Sequence, residues 1–206
     1  SNKGALLELE NLIFKRNTRT ILSIKDLKFS YGNIIGIVGE NGIGKSTLAK
    51  IICGLYKENK GKILRDGENL NIKSRLNESL LIMQEVNYQL FTDTVKDEIV
   101  LTSNIKDDNA LDTWLKDMEL KNIGDRNPHT LSGGQKQRVI ILSALLSDKK
   151  ILFFDEPTSG LDYRNMKIVA KNIKKVKEED KLILIISHDV EFLESVCDKV
   201  IDFTYL

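Results

Sequence analysis

Residues 34–55 read IIGIVGENGIGKSTLAKIICGL, and this stretch decides the fold. Ile34 to Val38 is a short apolar run of the kind found in strands covered on both faces. It feeds GENGIGKS, Gly39 to Ser46, a match to GxxxxGK[ST]. Gly39, Gly42 and Gly44 permit backbone conformations that turn successive N–H groups inward, with Glu40, Asn41 and Ile43 between them. Leu48, Ile51, Ile52 and Leu55 then recur at helical spacing, so a helix starting near Lys45 adds its positive end to the loop. A strand, loop and helix of this kind form a nest for phosphate. Lys45 reaches the β- and γ-phosphates, Ser46 offers a hydroxyl to magnesium, and Thr47 closes the nucleotide-binding run.

Outward from the loop, further apolar runs at Leu80–Met83, Ile151–Phe154 and Leu182–Ile186 read as buried strands, with helical spacing between them, such as Met166, Val169, Ile173 and Val176. Alternation of the two periods predicts an α/β fold, a mostly parallel central sheet. Between about 85 and 146 the pattern is helical only: Leu111, Trp114, Leu115 and Met118 mark one helix, Val139, Leu142 and Leu146 another. This predicts an inserted helical subdomain. Leu7–Phe14 and Leu22–Phe29 predict an N-terminal antiparallel β element. With 206 residues and no linker or repeat, residues 1–206 are expected to form a single domain.

Composition narrows the function. Lys+Arg 31 against Asp+Glu 30 gives a net charge of +1, so no nucleic-acid partner is expected on electrostatic grounds. No apolar run approaches the roughly 18 residues of a membrane span. Cys53 and Cys197 have no CxxC or Cys/His companions, which predicts two reduced thiols in packed helices and a cytoplasmic setting. The opening SNKGALLELE has neither an initiating Met nor a secretory core, and Val200–Phe203 reads as a strand with little after it. The reading is a fragment of a longer chain, or else a chain whose final element is that strand.

Two more segments carry chemistry. In ILFFDEP, Ile151 to Pro157, four apolar residues place Asp155 at the carboxyl end of a buried strand, the edge where open α/β sheets bind ligands. Asp155 there faces magnesium, Glu156 can polarise an attacking water, and Pro157 ends the strand. In LSGGQKQRV, Leu131 to Gln135 precede and open a helix. Ser132, Gly133 and Gly134 offer a hydroxyl, accessible N–H groups and a helix N-terminus, with that helix beginning near Gln135. One nucleotide site has no need of this second anion nest. Taken alone, SGG is equally a helix cap with a glycine turn.

The ordered set GENGIGKS, Gln84, LSGGQ, ILFFDEP, SGLD and ISHD resembles the ATP-binding cassette ATPase family over nearly the whole chain. The resemblance implies a P-loop NTPase fold, ATP and Mg2+ as ligands, and a head-to-tail dimer with a second cassette domain, identical or paralogous. In it the signature Leu131, Ser132, Gly133, Gly134 and Gln135 acts in trans on the partner's nucleotide. Ser46, Gln84 and Asp155 associate with the metal. Glu156 activates water, His188 is the switch histidine near the γ-phosphate, and Lys45 and Gln84 complete the catalytic set. Asp162 sits at the dimer seam.

QEVNYQLFTDTV is similar to the corresponding segment of energy-coupling-factor vitamin and metal-ion importers. Tyr88, Leu90 and Phe91 there form a docking surface for a transmembrane component, or else pack inward. That places the protein peripherally on the cytoplasmic face of the cell membrane. One departure stands out: where the family carries an aromatic residue for adenine, this chain has Arg16, whose guanidinium can also stack on a ring. Phe14 and Tyr31 lie nearby. The leading function is ATP hydrolysis that powers import. The other readings are a ribosome-acting soluble cassette protein and a non-catalytic half of an asymmetric pair. The 85 positions from Ser46 to Leu131 leave no room for the long coiled coil of chromosome-acting members.

Overall fold

The chain is described here from a computed structural model covering residues 5–83, 90–103, 105–178 and 180–205. It begins with a long hairpin, β1 (Leu6–Arg16) and β2 (Arg19–Ser30), followed by β3 (Ile34–Val38) and α1 (Lys45–Ile52). Next come β4 (Lys60–Arg65), β5 (Glu68–Asn69), α2 (Ile72–Glu78) and β6 (Ser79–Ile82). Helices α3 (Val95–Thr102), α4 (Asp108–Asp117) and α5 (Gly133–Leu145) fill the middle. Then β7 (Ile151–Asp155), α6 (Tyr163–Lys175), β8 (Leu182–Ile186), α7 (Val190–Val196) and β9 (Lys199–Asp202) alternate to the end.

The apolar runs assemble into a five-stranded sheet in the order β6-β7-β8-β3-β9, every pairing parallel. Each central strand alternates its side chains between two cores, which explains the unbroken apolar sequence. Phe154, Ile183 and Ile185 face one cluster with α3 to α6. Phe153, Leu184 and Ile186 face the other, with α1 and the hairpin. The antiparallel sheet, in the order β2-β1-β4-β5, closes the second layer. β4, β5 and α2 carry little periodicity and were not resolved from sequence. Among the described residues no helix is long and apolar enough to cross a membrane.

Leu55 departs from expectation. Assigned to the apolar face of α1, it lies beyond the helix and is 52% exposed. Gly54 adopts φ 75°, a left-handed helix stop, and its N–H donates to Ile51 O while that of Leu55 donates to Lys50 O. A methyl group at Gly54 would lie 2.9 Å from Ile72 O, so the stop also admits α2. There Arg75, 1% exposed, donates to Ile51 O at 2.7 Å and pairs with Glu58 at 2.8 Å. The thiols of Cys53 and Cys197 are both free, and burial pushes each up to about 12.

The strand leading into the glycine loop is anchored at its start. Asp198 Oδ2 accepts the Ile34 N–H at 2.7 Å and Oδ1 accepts Lys177 Nζ at 2.7 Å. Burial pushes this carboxyl up, but the two hydrogen bonds and the lysine charges outweigh it and hold it below its ordinary value. Asp198→Ala should therefore cost about 1–2 kcal/mol at pH 7, about 3–6 °C in melting temperature. A depressed carboxylate stabilises above its unfolded pKa. The gap from wild type should be full above about pH 5 and close as the pH falls below 3.8. Thermal melts of both proteins across that range check the sign.

Candidate functional site

Parallel pairing brings the carboxyl ends of β3, β7 and β8 to one edge, and the residues that follow each strand meet there. After β3 the loop turns through Gly42 at φ 81° and Gly44 at φ 108°, the latter capping α1. A methyl at Gly44 would lie 3.2 Å from Ile21 O, so both conformation and space call for glycine. Lys45, 7% exposed, donates from Nζ to Gly39 O at 2.6 Å and Glu40 O at 2.7 Å, which sets its ammonium across the loop. The cavity over the loop is about 690 Å³. Asn41, Gly42, Gly44, Lys45, Ser46 and Thr47 line it together with Asp155, Glu156 and His188.

Glu156 follows β7 in the left-handed region at φ 52°, its N–H donating to Ile186 O at 2.9 Å across the strand ends. Its Oε1 lies 3.3 Å from His188 Nε2 and is buried without a hydrogen-bond partner. The contact is thus a close approach rather than an aligned hydrogen bond. Burial raises the Glu156 pKa, partly opposed by the His188 imidazole and its backbone N–H. A carboxylate in this setting can take a proton from water. The Ser46 hydroxyl and the Asp155 carboxylate line the same cavity as hard oxygen donors, a set that suits Mg2+ shared with phosphate oxygens.

The second glycine segment lies elsewhere. Ser132 caps α5: its Oγ accepts the Gln135 N–H at 3.3 Å, and Gln135 Oε1 accepts the Ser132 N–H at 3.1 Å. The helix starts at Gly133, two residues earlier than expected, because this reciprocal cap satisfies the turn with glycine inside it. Leu131 is buried at 6%. A methyl at Gly133 would meet nothing within 4 Å, whereas one at Gly134 would lie 3.2 Å from Leu161 Cδ2. Leu161 precedes Asp162, which caps α6 through the Asn165 N–H at 2.8 Å. Residues 131–135 are not among those lining the phosphate-loop cavity of their own chain.

Arg16 ends β1, exposed, and donates to the Tyr56 hydroxyl at 3.2 Å, with Phe14 stacked on the Tyr56 ring at 5.3 Å. Neither Arg16 nor Phe14 lines the cavity, and Tyr31 is buried at 5%. Ile21 does line it. Sequence reasoning missed Ile21, since only the register shift between Phe14 paired with Leu22 and Lys15 paired with Thr20 leaves it unpaired. Gln84, Tyr88 and Gln89 fall outside the described residues. Leu90 is buried at 3%, while Phe91 is 77% exposed beside a 420 Å³ groove between β6, α3 and α5. Glu98, also unforeseen, accepts the N–H groups of Phe91 and Thr92 at 2.9 Å and the Thr92 hydroxyl at 2.8 Å.

The sequence profile of the ABC transporter family matches residues 22–159. The chain is 39% identical over 199 residues to the energy-coupling factor transporter ATP-binding protein EcfA1 of Mycoplasma mobile, covering 90% of this chain and 72% of that protein. It is 43% identical over 180 residues to a Treponema denticola protein assigned to the ABC transporter ATP-binding proteins, covering 86% of this chain and 37% of that one. The chain spans 37–45% of the length of the first four curated relatives it matches. Among solved structures, cbiO1 of Clostridium perfringens, part of the cbiONQ transporter complex, superposes with a TM-score of 0.81 at 28% identity. That match covers 97% of this chain and 84% of cbiO1.

Because burial raises its pKa, Glu156 binds its proton more tightly in the folded chain, and ionising it costs stability as the pH rises past the ordinary value of 4.5. Glu156→Gln should melt at or above the wild-type temperature at pH 7, without nucleotide or metal. The two should converge near pH 4. A variant less stable at pH 7 would show that the carboxylate is net stabilising.

Proposed function

Because the chain belongs to the ABC transporter family of ATP-binding and ATP-hydrolysing domains, we propose that it powers substrate import by a membrane transporter as one half of a head-to-tail pair. The observation that carries this reading is a division of labour between two glycine segments. Lys45, Ser46, Asp155, Glu156 and His188 share a cavity, while the open turn at Ser132 and Gly133 has no part in it. A helix N-terminus with room around its first glycine is suited to a phosphate held by another chain.

In this reading the loop N–H groups and Lys45 bind and orient the triphosphate. Ser46, Gln84 and Asp155 would hold Mg2+, which would supply charge neutralisation on the phosphates. Glu156 holds the attacking water and takes its proton, and His188, its Nε2 3.3 Å from Glu156 Oε1, serves as the switch histidine near the γ-phosphate. Ser132, Gly133, Gly134 and Gln135 close over the γ-phosphate in the partner's loop, and Asp162, one residue beyond the Leu161 that packs on Gly134, ties the two sites together. Arg16 lies outside the cavity walls and contributes little to base binding.

The import direction follows the energy-coupling factor relatives, and the transmembrane component docks at the groove beside Phe91 and Leu101, on the cytoplasmic face of the membrane. The partner cassette is a second copy or a paralogue.

Glu156→Gln should cut turnover by roughly a hundredfold while leaving ATP bound. With Mg-ATP it should accumulate as a dimer by light scattering, alone or with its paralogue. Adding Gly133→Ala should leave the fold stability within about 0.5 kcal/mol, since the methyl meets open space. It should nevertheless abolish the ATP-driven dimer. A Gly133→Ala protein that still dimerises would sink the trans role of the signature.

A further inference from the structure

The phosphate loop is braced from behind by a residue that no motif marks. β9 runs parallel to β3, with Asp202 opposite Val38, and so delivers Phe203 to the point where the loop begins. Phe203 is 4% exposed. A methyl at Gly39 would lie 3.2 Å from Phe203 Cβ, and one at Gly44 would lie 3.9 Å from its Cε1. Phe203 thus sits against both ends of the loop, through its Cβ at Gly39 and through its ring at Gly44, the two end glycines holding φ 147° and φ 108°. The turn that presents it is fixed, because Asp202 Oδ1 accepts the Thr204 N–H at 2.9 Å.

Beside Phe203 and Ile43 lies a cavity of about 270 Å³, bounded on its far side by Ile21 to Ile24 of β2. The loop therefore spans free volume and has room to sag if the ring is withdrawn. We propose that Phe203 is a positioning residue of the nucleotide site, the buttress that holds Gly39 and Gly44 where the loop N–H groups converge on phosphate. Those N–H groups grip phosphate in the ground state and the transition state alike. Losing their alignment weakens nucleotide binding and raises KM, with little change in kcat.

This inference rests on the nucleotide reading above, and a titration with a fluorescent non-hydrolysable ATP analogue separates the two. If the wild-type chain binds no nucleotide, the reading of the site fails. If wild type binds, Phe203→Ala should raise Kd by about tenfold and Phe203→Leu by about threefold. Leucine keeps apolar volume and thus folding, but loses the ring atoms nearest Gly44. Leu115→Ala, in the core of α4 and away from the loop, serves as a control of comparable stability loss. It should leave Kd unchanged. Wild-type Kd in the folded Phe203→Leu protein, or an equal Kd rise in Leu115→Ala, overturns the proposal.

Discussion

The parallel ladder sets Ile186 opposite Asp155 on one side and opposite Ile37 on the other. A parallel register allows all three strands to end at the same height, and an antiparallel partner in the middle would send one of them the other way. The glycine loop, the Asp155–Glu156 pair and His188 follow those ends, so the cavity is a consequence of strand direction before it is a consequence of any side chain. Helices α1 and α6 return on opposite faces and keep that edge clear.

What could be read from the sequence tracks how local the determining physics is. The central strands were legible because burial on both faces leaves an apolar run, and the loop was legible because its φ angles and its lysine are set within eight residues. α5 was legible, but its start was misplaced, since Ser132 and Gln135 cap one another and draw Gly133 and Gly134 into the helix. Leu55 was misplaced because the stop at Gly54 depends on close approach to α2. Ile21, Glu98 and Phe203 were invisible for a common reason: each acts through a partner set by tertiary register, a bulge in one case, a buried carboxylate beneath a loop in another, a neighbouring strand in the third. The surroundings of Arg16 were likewise not legible. The Tyr56 hydroxyl that engages it is 40 residues away in sequence.

The signature turn and the phosphate loop use the same physics with opposite local solutions. The loop turns its donors inward, with Lys45 7% exposed across them and Phe203 behind. The signature satisfies its own cap through Ser132 and Gln135, which leaves the first helical N–H groups, those of Gly133 and Gly134, without an intrahelical partner. One nest is complete within the chain and the other is open on its surface. Leu161, packed on Gly134 and adjoining the cap of α6, links the open one to the helix that follows β7.

Glu156 sits at φ 52° without being glycine. A left-handed backbone at such a residue costs on the order of 1 kcal/mol and is held there by its hydrogen bond to Ile186 O at 2.9 Å. That bond is the last rung of the β7–β8 ladder, where Asp155 pairs with Ile186. The carboxylate's aim is therefore tied to the end of the sheet: without that one rung the strained backbone would relax and swing the side chain off the cavity.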